Sequence, residues 1–161
     1  TTEGTVVLAL DTDRTPETTN NFVTLARYGY YDGTDLFRVE DTTGIIQGGS
    51  PHTQGPTDPG PGYTIEDEGQ PYTSEDYAPG VIAMANRGQP NSAAAGFFLL
   101  ANEGGQYLGD PAQVGDSAGT YAVFGRTTEG LDVLEAIAAL DDGSGQPSKP
   151  VTIESVTITE S

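Results

Sequence analysis

The sequence predicts a mainly β domain in which an antiparallel sheet closes, or nearly closes, into a barrel with helices at its ends. Three observations lead there. Segments with strand and helix character follow in the order strand, helix, many strands, helix, strand. The chain holds 22 Gly and 11 Pro, about a fifth of its 161 residues, which suits short strands joined by many turns. Only two segments carry helical periodicity, too few to cover both faces of a doubly wound sheet. With no linker, internal repeat or low-complexity tail, residues 1–161 are read as a single domain.

The elements follow from local chemistry. Gly4-Thr-Val-Val-Leu-Ala-Leu10 is a β-branched and apolar run, read as a strand closed by the turn Asp11-Thr-Asp13. Thr15 is the expected N-cap of the next helix, Pro16 sits where its missing N–H is harmless, and Glu17 complements the helix dipole. Phe22, Leu25 and Ala26 share one face of that helix, and Gly29 is its expected stop. Asp35 to Val39 and Gly44 to Gln47 read as neighbouring strands, and residues 48–62 as a long loop rich in Gly and Pro. Val81 to Asn86 and Gly96 to Ala101 are expected to be buried strands, separated from a further strand, Tyr121 to Gly125, by a polar insertion over 108–120. Leu131, Leu134, Ile137 and Ala138 repeat at helical spacing up to Asp141-Asp-Gly143. Val151 to Ile158 is expected to close the chain as a bulged strand.

Charge and composition exclude several classes of function. The net charge is −18, so nucleic acid is not an expected partner, because phosphate binding needs Lys and Arg to displace counterions. Anionic membrane surfaces are disfavoured for the same reason, and no apolar run is long enough for membrane insertion. There is no cysteine, which excludes disulfides, zinc-thiolate sites and thiol nucleophiles. Self-repulsion at this charge is relieved by salt, so two settings stay open: a salt-adapted environment, inside or outside the cytoplasm, and an ordinary solvated acidic surface. Thr1 in place of an initiator Met is read as the trace of a removed leader.

Familiar catalytic patterns fail in turn. His52 is the only histidine, has no Gly-x-Ser-x-Gly elbow to serve, and reads as a loop residue. Asp11-Thr-Asp13 starts like a calcium loop, but Arg14 and Thr15 follow where an acid and a turn glycine belong. Asp141-Asp142-Gly143 is more simply a helix end. An acidic calcium-binding envelope protein therefore remains only a third reading. Gly60-Pro-Gly62 lacks the lysine and helix of a phosphate loop.

What remains is an ordered series: Asn20-Asn-Phe22; Leu36-Phe-Arg-Val39; Gln47-Gly-Gly49, nine residues after Arg38; Gly60-Pro-Gly-Tyr63 with Glu66-Asp-Glu68; Gly80-Val-Ile-Ala-Met-Ala-Asn86; Phe97-Phe98; and Tyr121-Ala-Val-Phe-Gly125. Spanning roughly Gly4 to Ile158, it resembles the cyclophilin family of peptidyl-prolyl cis-trans isomerases, in a divergent, bacterial-like form. The resemblance implies a closed eight-stranded antiparallel barrel capped by two α-helices. It also implies a cofactor-independent isomerase, monomeric, that turns X-Pro bonds in proline-containing peptides and unfolded protein clients. The runner-up is a non-catalytic proline-peptide binding or chaperone module on the same barrel.

The resemblance also assigns residues. Arg38 matches the catalytic arginine, whose donor stabilises the prolyl nitrogen as the bond twists. Gln47 matches the glutamine that contacts substrate and positions that arginine. Ile45, Met84, Phe98 and Leu108 would lie in or behind the proline pocket, although Met84 also suits plain core. Ala85 and Asn86 match the edge that pairs with the substrate backbone. Tyr107 stands where many relatives have a tryptophan on which cyclosporin binding depends, and Tyr121 where a histidine is frequent; both are counted as substrate-binding positions. Leu36-Phe37-Arg38 replaces Phe-His-Arg. Gly44 falls where a phenylalanine normally walls the pocket, with an extra residue somewhere in Glu40 to Thr43. Ala95-Gly96-Phe97-Phe98 lacks a second substrate-binding glutamine. These departures bear on turnover and imply weakened cyclosporin affinity.

Overall fold

A computed structural model describes residues 1–160. Its elements are β1 (Val7–Leu10), α1 (Pro16–Arg27), β2 (Thr34–Asp35), β3 (Arg38–Glu40), β4 (Ile45–Gly48), β5 (Val81–Met84), β6 (Phe97–Leu100), α2 (Pro111–Val114), β7 (Val123–Glu129), α3 (Leu131–Ala138) and β8 (Thr152–Ile153), with 3₁₀ helices at Ser74–Tyr77, Glu103–Gly109 and Gly115–Ser117. Six strands form one antiparallel sheet in the order β1-β7-β5-β6-β4-β3, and β2 pairs only with β8.

The expected closed eight-stranded barrel is therefore corrected: among the described residues no sheet closes on itself. Closure needs the outer edges of β1 and β3 to be joined by full ladders, and the only strands left, β2 and β8, are two residues long. Pro147 and Pro150 precede β8 and supply no N–H to a ladder. The outer edge of β3 meets only a turn, through the Val39 N–H to the Gly145 carbonyl at 3.1 Å. The chain from Val151 keeps its strand for two residues rather than running to Ile158; beyond it, the Val156 N–H is taken by the Asp32 carboxylate. Three α-helices replace the expected two, because the 108–120 insertion contains α2, capped by Asp110.

The strong apolar runs form as expected. β5 and β6 are buried along their whole length. The register puts Val39, Ile46, Leu99 and Ile82 in one row across β3, β4, β6 and β5, each 7% exposed or less. Phe22 of α1 covers one end of this core: it stacks on Tyr31 (5.1 Å) and meets Phe97 (5.7 Å) and Phe124 (5.2 Å). Leu134 and Ile137 of α3 are fully buried.

The start of α1 is held differently from the expectation. The Thr15 side chain makes no cap and instead donates to the Asp11 carbonyl. The orphan N–H groups of Glu17 and Thr18 point at the Glu68 carboxylate, at 3.1 and 2.7 Å, and the Thr18 hydroxyl joins them at 2.8 Å. A carboxylate fifty residues away thus satisfies donors that a local cap would serve, and complements the helix dipole. Arg14 pins the same segment, donating to the Gly69 and Pro71 carbonyls and to Asp76 while lying over the Tyr72 ring.

Candidate functional site

In an antiparallel sheet, directly paired residues project to the same face. The row beside the core row runs Arg38, Gln47, Phe98, Ala83 across β3, β4, β6 and β5, so these four share the opposite face. Glu40, Ile45 and Leu100 form the next row on that face. This places Arg38, Gln47, Ile45 and Phe98 together. Met84 is the exception: it pairs with Phe97 on the core side and is 1% exposed, so it supports the sheet from behind and does not line the site.

The guanidinium of Arg38 is tethered at three points. Nε donates to Oε1 of Glu40 at 2.8 Å, Nη1 donates to Oε1 of Gln47 at 3.1 Å, and Nη2 lies 2.7 Å from the same Glu40 oxygen as an ion-pair contact. The side chain remains 41% exposed, so the charge faces solvent at the edge of an apolar surface. Glu40 was not singled out from the sequence, yet the signal was there: in a strand, residues two apart share a face.

The apolar surface beside Arg38 comes from β4, β6 and the 3₁₀ helix Glu103–Gly109. Phe98 and Leu108 are each 5% exposed, and Phe98 meets Tyr121 edge to face at 5.5 Å. The backbone of Tyr121 is fixed by Tyr77, whose hydroxyl donates to the Tyr121 carbonyl (2.9 Å) and accepts its N–H (3.2 Å). Burial pushes the Tyr77 phenol up, so it stays protonated and able to donate at neutral pH. Tyr107 is half-buried near Arg38, Glu40 and Tyr121. Burial raises its pKa, Arg38 opposes that rise, and Glu40 and Tyr121 add to it.

The glycine at position 44 has a structural cause. Gly44 is in the left-handed region (φ 68°), and a Cβ there would lie 2.7–2.9 Å from the side chain and backbone N of Asn102. Asn102 is itself fixed, accepting from Gly104 N and donating to the Asp41 carbonyl. A side chain at position 44 would have to displace Asn102, so the position is held as glycine. Gly96 is different, since a Cβ there would touch only the Ala85 Cβ at 3.5 Å and the Gly48 carbonyl at 3.8 Å.

Two concavities flank the row. An open cleft of about 820 Å³ lies beside Arg38, between Phe37, Gln54, Pro56 and the segment 144–151. A smaller one, about 60 Å³, lies between Asp58, Arg87 and Gly96. Gln47, Pro56 and Asn86 line both, so they form a continuous track past Arg38. Asn86 stands on this track with its amide 3.4 Å from the Thr120 carbonyl, while the Ala85 N–H is already taken by the Gly96 carbonyl.

The loop over 48–62 carries this wall and is organised by Asp58. Burial pushes the Asp58 carboxyl up, but N–H donors from Gly60, Thr53 and His52 outweigh it and hold the pKa below the usual carboxylate range. His52 is exposed there, its ring edge-on to Tyr30, well placed as a loop residue. Asp141 and Asp142 are occupied by local N–H groups of Gly143 and Ser144, and no cluster of three or more potential metal ligands occurs among the described residues.

Comparison with known proteins completes the picture. The model of the family described as cyclophilin type peptidyl-prolyl cis-trans isomerase/CLD matches residues 1–158. The chain is 36% identical to the peptidyl-prolyl cis-trans isomerase cyp18 of Streptomyces antibioticus, covering 98% of this chain and 95% of that one. It is 31% identical to peptidyl-prolyl cis-trans isomerase B of Escherichia coli, covering 99% and 97%. Among solved structures it is similar in fold to a cyclophilin type isomerase of Cryptosporidium parvum crystallised in the presence of the dipeptide Ala-Pro, with a TM-score of 0.79, 24% identity, and 99% and 95% of the two chains covered.

Proposed function

The chain belongs to the cyclophilin-type peptidyl-prolyl cis-trans isomerases, and from that premise we propose that it turns X-Pro bonds on the sheet face that carries Arg38, Gln47 and Phe98. Amide resonance holds such a bond behind a barrier of roughly 18–20 kcal/mol. Twisting it breaks conjugation and leaves a lone pair on the prolyl nitrogen. A guanidinium N–H aimed at that nitrogen gains strength only as the pair localises, so it stabilises the transition state more than the ground state. Arg38 is the donor. It is always charged, and its tethers to Gln47 and Glu40 hold it beside an apolar surface where water competes less.

The proline ring lies on Phe98, Ile45 and Leu108, with Tyr107 and Tyr121 at the rim. The flanking peptide follows the track past Gln47, Ala85 and Asn86. The clients are exposed prolines in peptides and unfolded chains, for which the same surface also gives a chaperone-like hold. The protein works as a monomer. Cyclosporin binds weakly, because Tyr107 presents a smaller ring than tryptophan and no wall rises at Gly44. The observation that carries this reading is the row Arg38, Gln47, Phe98, in which a tethered cation and a buried aromatic ring share one face.

Titration of an Ala-Pro-containing peptide into the ¹⁵N-labelled protein tests it. The amide resonances of Gln47, Asn86, Gly96, Phe98 and Tyr121 should shift together, and a peptide with Ala in place of Pro should leave them in place. Shifts confined to other surfaces would dismiss the assignment.

A further inference from the structure

Arg38 has five N–H donors, and the structure commits two of them to hydrogen bonds, Nε to Glu40 and Nη1 to Gln47. Nη2 lies 2.7 Å from the same Glu40 oxygen, Oε1, as an ion-pair contact. The other oxygen, Oε2, accepts the Thr43 hydroxyl at 3.0 Å. Glu40 ends β3 and Thr43 lies in the turn to β4, so the carboxylate ties the guanidinium to the hairpin that carries both Arg38 and Gln47. An arginine held by Gln47 alone could swing about its long side chain, whereas hydrogen bonds to both Gln47 and Glu40, with the ion-pair contact beside them, fix the plane of the guanidinium and so the direction of its remaining N–H groups.

We propose that Glu40 is a positioning residue for isomerisation: through Arg38, its carboxylate fixes the direction of the donor that meets the prolyl nitrogen. The inference rests on the reading of Arg38 as that donor. It differs from the simpler possibility of a surface ion pair with no bearing on rate, which for partners 41% and 31% exposed would otherwise be the default. Small displacements of a catalytic group lower rates steeply, up to about a hundredfold for roughly 1 Å.

The test is exchange spectroscopy on an X-Pro peptide at saturating and sub-saturating protein, which separates kcat from peptide affinity, applied to wild type, Glu40→Ala, Glu40→Gln, Thr43→Val and Arg38→Ala. Glu40→Ala should lower kcat about tenfold with Kd within about twofold of wild type. Glu40→Gln keeps an oxygen for the Nε–H group and should retain about a third or more of the wild-type kcat. Thr43→Val, which frees only the far oxygen, should lower kcat about threefold. Melting curves and the unchanged Kd report folding. If Glu40→Ala stays within twofold of wild type while Arg38→Ala falls, the positioning role is wrong and the reading of Arg38 stands. If Glu40→Gln falls as far as Glu40→Ala, the carboxylate acts by charge, not placement, and the proposal fails. An unchanged rate in Arg38→Ala overturns the donor reading and this inference with it.

Discussion

Replacing Gly44 with alanine tests whether the backbone and Asn102 together hold position 44 as glycine. Position 44 has φ 68°, where an L-residue costs about 1–2 kcal/mol more than glycine. The added Cβ would lie 2.8 Å from the Asn102 backbone N and 2.7 Å from its Oδ1, distances that force a shift of backbone rather than of a flexible side-chain end. Asn102 cannot move without straining its bonds to Gly104 and Asp41, and the Gly44 carbonyl is itself the acceptor for Ala101. Weakening one of these removes about 1 kcal/mol more. The total is about 2–3 kcal/mol, which for a chain of this size lowers Tm by about 4–12 °C. Gly96→Ala is the matched control: its Cβ meets only ordinary contacts, so its Tm should lie within about 2 °C of wild type. Thermal melts followed by circular dichroism decide the matter. A Gly44→Ala protein that melts with wild type would refute the steric argument.

Three further outcomes follow from the geometry. Glu68→Ala removes the acceptor of two N–H groups at the start of α1 and of the fully buried Thr18 hydroxyl, so it should destabilise by about 2 kcal/mol and lower Tm by roughly 5 °C, whereas an unchanged melt would mean that water caps the helix equally well. Burial pushes the Asp76 carboxyl up, but the Thr73 N–H and hydroxyl and Arg14 outweigh it and hold the pKa below its ordinary value. Its stabilisation is therefore complete above about pH 4 and disappears as pH falls through the lower folded value. The Tm difference between wild type and Asp76→Asn, open at pH 6, should shrink as pH falls below about 4 and through the lowered folded value. Four ion pairs among the described residues engage only Asp76, Glu160, Glu40 and Glu3 of 24 acids, so raising NaCl from about 0.1 to 1 M should raise Tm; a flat or falling Tm would show that the −18 charge does not strain the fold.

The parts of this fold written in local pattern were legible. The β5 and β6 runs are continuous apolar segments, and α3 spans Leu131 to Ala138 as its periodicity indicates. Closure was not legible, because it depends on whether the outer edges of β1 and β3 find long partners, and the Pro-containing stretch before β8 leaves only a two-residue strand. The cap of α1 escaped for a related reason: Thr15 has the right chemistry next door, but Glu68 arrives through a tertiary contact that no local pattern encodes. In the site, the motifs pointed to Arg38, Gln47 and Phe98, and the sheet register puts them in one row. The same register sends Met84 to the core, a distinction that strand periodicity alone could have drawn, since Met84 and Ala83 alternate. Glu40 was hidden by abundance. Among 24 acids one carboxylate attracts no notice until its hydrogen bond and ion-pair contact with Arg38 are seen.

The central claim is that the tethered guanidinium of Arg38 supplies the rate. Its most direct test is the cis-trans exchange rate of a peptide fully bound to the protein, compared between wild type and Arg38→Ala, since saturation removes affinity from the comparison. Loss of one donor aimed at a developing lone pair should slow bound-state exchange on the order of a hundredfold, with Kd within about threefold of wild type. Exchange in Arg38→Ala within threefold of wild type would contradict the claim and assign catalysis to the apolar surface alone.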